Sequence, residues 1–276
     1  MRRNSLRGLS VCIAFLALAG IAGVRGAGES KNDFRFSILG DRTGDADAQI
    51  YERVWQEMGQ FSPDFVINVG DTIQGGNDAT AEIEWRSLHS IWNKYKFPQY
   101  FTAGNHDIWS PESRKIFAKE TGHPASYGFN YQGAHFTVLD NSQTENLSEE
   151  QMEFLARDLA ANKDRDPKFV FFHKPFWLIP VMFKSGEFPF HQLIKKYGVR
   201  YVISGHGHQY KRLEQDGIVY IEAGSSGGKL KGVGFSGGWF FGQIFTRVKG
   251  SNVEMTVKEV DPPLGQGNLV KWEEMR

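Results

Sequence analysis

Five short apolar runs stop abruptly at polar or ionisable side chains, four of them through a glycine, and this punctuation restricts the chain to few folds. The segments are Ile38-Leu39-Gly40-Asp41, Val69-Gly70-Asp71, Ala103-Gly104-Asn105-His106-Asp107, Phe171-Phe172-His173 and Ile203-Ser204-Gly205-His206-Gly207-His208. Apolar runs of this length read as buried strands. In α/β folds the carboxyl ends of neighbouring strands open onto a common crevice, so the pattern predicts that these residues converge.

The stretches between these runs are amphipathic. Helical spacing covers residues 46–61, with Ile50, Val54, Trp55 and Met58 on one face, and 79–95, with Ile83, Leu88, Ile91 and Trp92 inward. Pro111 suits the first turn of another helix. Ser148 with Gln151 three residues later makes a capping-box start for a helix ending near Asn162, and residues 189–197 form a further one. Strand patterns occupy 34–39, 65–69, 99–102, 168–172 and 201–203, with a hairpin over 126–131 and 134–139 turning at Gln132-Gly133. The end of the chain is strand-rich, over 212–215, 218–222, 240–248 and 253–260. Such an order predicts mixed sheets packed together and flanked by helices. No internal repeat or long linker divides residues 33–260. The Gly-rich stretch 224–238 reads either as a mobile loop or as a loop at the mouth of a site.

Residues 1–26 stand apart. Arg2, Arg3 and Arg7 precede an apolar run over 11–24, and Val24 and Gly26 fit the small-residue rule for cleavage after Gly26. The run is shorter than the roughly 20 residues a spanning helix needs. The chain thus divides into a signal peptide, 1–26, and a domain, 27–276, expected to be secreted or periplasmic without a stable membrane span. The Arg2-Arg3 pair also fits twin-arginine export of a folded protein. The only cysteine, Cys12, lies in this leader, so the remaining chain has no thiolate ligand and no disulfide. Removing the four leader arginines leaves 28 basic against 32 acidic residues, a balance of about −4. With no basic block, no nucleic-acid partner is expected.

The converging groups are two aspartates, an asparagine and three histidines. Oxygen and imidazole donors without sulfur suit manganese, iron or zinc. Two divalent ions ~4 Å apart can share one carboxylate and clamp the attacking and leaving oxygens of a phosphoryl centre.

In this order, Asp41, Gly70-Asp71, Gly104-Asn105-His106-Asp107, His173 and Gly205-His206-Gly207-His208 resemble the calcineurin-like metallophosphoesterases, over nearly the whole chain after the leader. The resemblance implies an α/β fold, a four-layer α/β/β/α sandwich of two mixed sheets. It implies one ion held by Asp41, Asp71 and His208 and a second by Asp71, Asn105, His173 and His206, with Asp71 bridging. His106 would be the acid or phosphate donor, oriented by Asp107, and Asn105 would also face substrate. One departure is Thr43, where members often carry histidine two residues after the first aspartate. Purple acid phosphatases, which resemble the family, lack that histidine and use a tyrosine three residues after the second aspartate. Here that position is Gln74, whose carbonyl oxygen either coordinates an ion or bonds the loop.

Other residues carry weaker signals. Arg42 either clamps a phosphate oxygen, which guanidinium geometry fits, or ties its loop. His135 alternates with Phe136 and Val138 and reads as structural. His89, His123 and His191 lack partner signatures and read as solvated. Phe176, Trp177, Phe183 and Phe188 either wall a substrate pocket or pack as cover. Asn146-Leu147-Ser148 is a glycosylation sequon if the host is eukaryotic. The expected function is metal-dependent hydrolysis of a small phosphate mono- or diester by a hydroxide bridging the ions. The alternative, prompted by Thr43, is a non-catalytic binding module on a degenerate site. A metallo-β-lactamase-type hydrolase is excluded, because no His-x-His-x-Asp-His run is present.

Overall fold

The computed structural model describes residues 32–185, 188–261 and 267–271. The expected leader lies outside them. Two six-stranded sheets lie face to face. In the first, β1 (Asp33–Leu39), β2 (Phe65–Asn68) and β3 (Gln99–Phe101) run parallel, and β10 (Gly242–Lys249), β11 (Asn252–Glu259) and β12 (Leu269–Lys271) continue it antiparallel from the free edge of β1. In the second, the hairpin of β4 (Tyr127–Tyr131) and β5 (Ala134–Val138) leads into parallel β6 (Lys168–Phe171), β7 (Tyr201–Ser204) and β9 (Ile218–Ala223), with β8 (Tyr210–Gln215) antiparallel at the far edge.

Strand alternation explains the layers, because successive side chains point to opposite faces. Phe34, Phe36 and Ile38 of β1 meet Phe136, Phe169 and Phe171 of the facing sheet in a core between the sheets. Phe36 stacks on Phe65 at 5.0 Å and meets Phe136 and Phe169 edge-on at 5.4 Å. The outer face of the first sheet is covered by α1 (Ala48–Phe61), α2 (Asp78–Trp92) and α3 (Pro111–Thr121). The outer face of the second packs on α4 (Glu149–Ala161), α5 (Leu178–Met182) and α6 (Pro189–Lys196). This is the expected four-layer arrangement.

Caps fix where helices begin. Asp47 accepts from the backbone N–H of Gln49 and Ile50 at the start of α1, and Ser148 accepts from Gln151 at the start of α4. The expected inner face of α2 holds at Leu88, Ile91 and Trp92 and fails at Ile83. Ala81, Trp85, Leu88 and Trp92 are buried, whereas Ile83 is 66% exposed. Trp85 sets the phase because its large ring fills the space between Phe101 and Phe117, and a residue two positions away then lies on the opposite side. His135 is structural as read, bonding Asn130 at 2.7 Å and Asp158 at 2.8 Å. His191, read as solvated, is fully buried and bonds the Tyr220 hydroxyl at 2.6 Å. No helix among the described residues is long and apolar enough to cross a membrane.

Truncating the ring at the centre of the inter-sheet core, Phe36→Ala, is expected to cost about 3–5 kcal/mol. Urea unfolding should show this as a lower midpoint with an unchanged slope.

Candidate metal centre

Parallel pairing puts the punctuated segments side by side. Asp41 follows β1, Asp71 follows β2 and Asn105 follows β3, while His173 follows β6 and His206 and His208 follow β7. Nitrogen and oxygen atoms of Asp71, His173 and His206 fall within 4.8 Å of one another, as do those of Asp41, Asp71 and His208. Asp71 belongs to both groups, so one carboxylate lies between two candidate ion positions. Asn105 joins the first group, its Oδ1 lying 3.2 Å from His173 Nε2.

Backbone geometry at these positions is unusual. Asp71, His206 and His208 all have positive φ, at 53°, 76° and 59°. For non-glycine residues this conformation costs roughly 1–3 kcal/mol each and clusters at functional sites. Gly104 and Gly205 permit the crowding. A Cβ on Gly104 would fall onto the amide nitrogen and Oδ1 of Asp71, and one on Gly205 onto Oδ1 of Asp41. Any larger residue would displace a carboxylate from the centre.

Hydrogen bonds then choose the tautomers. His173 Nδ1 lies 2.9 Å from the Val69 carbonyl, and His208 Nδ1 lies 2.7 Å from that of Lys229. A carbonyl can only accept, so each Nδ1 donates, and in the neutral ring Nε2 carries the lone pair. Those Nε2 atoms face other acceptors: His173 faces Asp71 Oδ2 at 3.2 Å, and His208 faces Asp41 Oδ2 at 3.4 Å. His206 Nδ1 lies 3.3 Å from His173 Nε2. Buried acceptors aimed at one another need a proton or a cation between them.

The proton affinities follow. Burial opposes charge on both Asp71 and His173, but their mutual attraction prevails, lowering the carboxylate's pKa and raising the imidazole's. His208 is likewise opposed by burial and raised by its bond to Asp41. His206 is lowered, by burial first and then by the neighbouring His173. The two aspartates, Asn105 and three histidines thus fit divalent cations, with donors of the kind manganese, iron and zinc accept.

One expectation changes, and two residues left between alternatives take one of them. Asp107 does not orient His106. It is fully buried and accepts from the backbone N–H of Thr72 at 2.8 Å, Gly104 at 2.9 Å and Ile73 at 3.2 Å, which staples the loop after β2 to the loop after β3. Burial and then the charge of Asp71 push its pKa up, to about 7. His106 is held instead by the Gln74 carbonyl, 2.6 Å from Nδ1, and its own N–H donates to Asp71 at 2.9 Å. Arg42 is occupied as a loop tie: it donates to the Thr72 carbonyl at 3.1 Å and lies over the buried Tyr51 ring. Gln74 bonds the loop: its Oε1 accepts from the Thr43 hydroxyl at 2.7 Å, so the two residues without imidazole satisfy each other.

Other parts of the site were not singled out from sequence. Asn141 accepts from the N–H of both His173 and Lys174 at 3.1 Å. It follows an apolar strand just as the recognised residues do, a signal that was available. Glu222 is buried against Lys211 at 2.6 Å and packs under Gly207 between the two histidines. The Gly-rich stretch is tied to the site, with Ser226 and Gly228 donating to the Asp41 carbonyl at 2.8 and 3.1 Å.

A sequence profile described as calcineurin-like phosphoesterase matches residues 34–210, and the chain belongs to that family. It is 29% identical over 198 residues to purple acid phosphatase 15 of Arabidopsis thaliana, covering 66% of this chain and 34% of that protein. In fold it is similar to a purple acid phosphatase from yellow lupin seeds, with a TM-score of 0.64 at 15% identity, covering 89% of this chain and 55% of the other. It is similar too to a dimetal phosphatase from Danio rerio, with a TM-score of 0.60 at 11% identity over 87% and 99% of the two chains. The GAP50 anchor of the Plasmodium inner membrane complex aligns with a TM-score of 0.60 at 17% identity over 87% and 88%. The chain therefore spans about a third of the Arabidopsis protein and just over half of the lupin one.

Gly104→Ala is expected to reduce bound metal from two ions to less than one, read by mass spectrometry of the dialysed protein. Because His173 holds a proton above the ordinary imidazole range, ion uptake near neutral pH should release roughly one proton from this pair and tighten as pH rises. Calorimetry in buffers of different ionisation enthalpy measures that release.

Proposed function

We propose that the chain is an exported, metal-dependent phosphohydrolase acting on small phosphate mono- or diesters. The observation that carries the reading is the pair of donor groups sharing Asp71, with His106 fixed at their edge. Asp41, Asp71 and His208 would hold one divalent ion, and Asp71, Asn105, His173 and His206 the other. Bound there, the ions supply Lewis-acid charge for phosphoryl oxygens and lower the pKa of water towards neutrality. Export rests on the basic and apolar leader over residues 1–26.

The chain's own residues do the rest. Asp71 is pinned by the His106 N–H, so its carboxylate is oriented before substrate arrives. His106 Nδ1 donates to the Gln74 carbonyl, which leaves Nε2 to meet substrate. With Nδ1–H committed to that carbonyl, only the doubly protonated ring carries a proton on Nε2, and in that form the Nε2–H can pass its proton to the leaving alcohol oxygen or stabilise charge growing on the phosphoryl group. Asn105, beside His173, can offer its amide N–H to the same oxygens. The carbonyls of Val69 and Lys229 lock the two rings in the tautomer that presents Nε2, the usual support for ligating imidazoles. A binding module without catalysis is the weaker reading, because it gives no reason for three strained ligand residues and an oriented His106.

Asp71→Ala should lose both ions and all turnover of 4-nitrophenyl phosphate. His106→Gln should keep its metal content yet lose about 100-fold or more in kcat, the usual range for a general acid. Full turnover in either variant contradicts the assignment.

A further inference from the structure

A cavity of about 470 Å³, one wall of which lies three residues beyond His173, is not used by hydrolysis as described. Its walls include Leu147, Met152, Phe176, Pro180, Phe188 and Phe190. That size and apolar lining suit a small-molecule group. The ring wall is already assembled, since Phe176 packs against Phe172 at 4.8 Å and Phe190 at 5.1 Å. Of the other aromatics flanking His173, Trp177 is buried and donates to Ser204, and Phe183 is 74% exposed.

Chain geometry keeps this wall close to the centre. Phe176 follows His173 by three residues, so their Cα atoms are at most roughly 11 Å apart. Asn141 fixes that segment: while accepting from His173 and Lys174, it donates through Nδ2 to the Lys174 carbonyl at 2.9 Å. The same carbonyl accepts from the Phe176 N–H at 2.9 Å. Another part of the lining starts at Asn146, next in sequence to Glu145, whose carboxylate meets Lys174 Nζ at 3.0 Å. The pair is lopsided, with the Lys174 side chain 11% exposed and the Glu145 side chain 81%. An exposed carboxylate contributes little to such a pair and swings into water readily. Both charges are near enough to the candidate metal centre to interact with His206.

We propose that this cavity receives the alcohol part of the phosphoester, selecting aromatic or alkyl esters over those of polyols and sugars, with Lys174 meeting the phosphate at the neck. The inference rests on the hydrolase reading. Sugar hydroxyls against Leu147, Met152 and the phenylalanines would give up water with only Asn146 and Glu149 of the lining to replace it, whereas an aryl or alkyl group gains by burial.

Two measurements on the metal-loaded protein test this: kcat/KM for 1-naphthyl phosphate against glycerol phosphate, and binding of 1-naphthol itself by tryptophan fluorescence. The naphthyl ester should be favoured by at least about tenfold, the scale on which an apolar pocket discriminates, and naphthol should bind and inhibit competitively. Leu147→Glu, which sets a charge in the wall, should abolish naphthol binding and collapse the preference. Equal turnover of both esters with no naphthol bound overturns the inference and leaves the hydrolase reading standing. Naphthol bound without turnover of either ester overturns that reading, and the leaving-group assignment falls with it.

Discussion

Two buried carboxylates and three imidazoles face one another across 3.2 to 3.4 Å, and the molecule is organised around supplying positive charge between them. Without cations, a proton held between His173 and Asp71 partly meets that need. Such an arrangement would be costly in a domain that needed only to fold, because one backbone N–H each, from His106 to Asp71 and from His206 to Asp41, only partly replaces the hydration these buried carboxylates lose. With ions in place the same atoms become ligands, and the strain at Asp71, His206 and His208 acquires a purpose.

The fold serves this demand through strand order. Parallel β1, β2 and β3 bring three loops together from one sheet, and β6 and β7 bring two from the other. The aromatic core between the sheets sets how near those two sets approach. Asp107 then couples the loops after β2 and β3 through three backbone bonds, Asn141 positions the segment after β6, and the Gly-rich stretch closes onto the Asp41 loop. The support therefore comes mainly from backbone groups and buried polar side chains around the donors, which hold them on rigid strand ends.

Much of this was legible in the chain. Apolar runs gave every described strand but β12 to within a residue or two, and Asp41, Asp71, Asn105, His173, His206 and His208 stood out because each ends or closely follows such a run. What could not be read depends on contacts across space. Ile83 of α2 faces outward because Trp85 takes the packed side of that turn, which outweighs the apolar character of Ile83. Asp107 is adjacent to His106 in sequence, yet the three amide donors beneath it lie in loops that only the folded chain joins. The Val69, Gln74 and Lys229 carbonyls that choose histidine tautomers leave no trace in side-chain identity. The Thr43–Gln74 bond looked like a gap in the ligand set because both residues were considered singly.

The most direct test is anomalous diffraction from crystals grown with manganese or zinc. The account predicts two peaks ~4 Å apart, both within bonding distance of Asp71, one beside His208 and the other beside His173 and His206. A single peak, or peaks that leave Asp71 unligated, would contradict it.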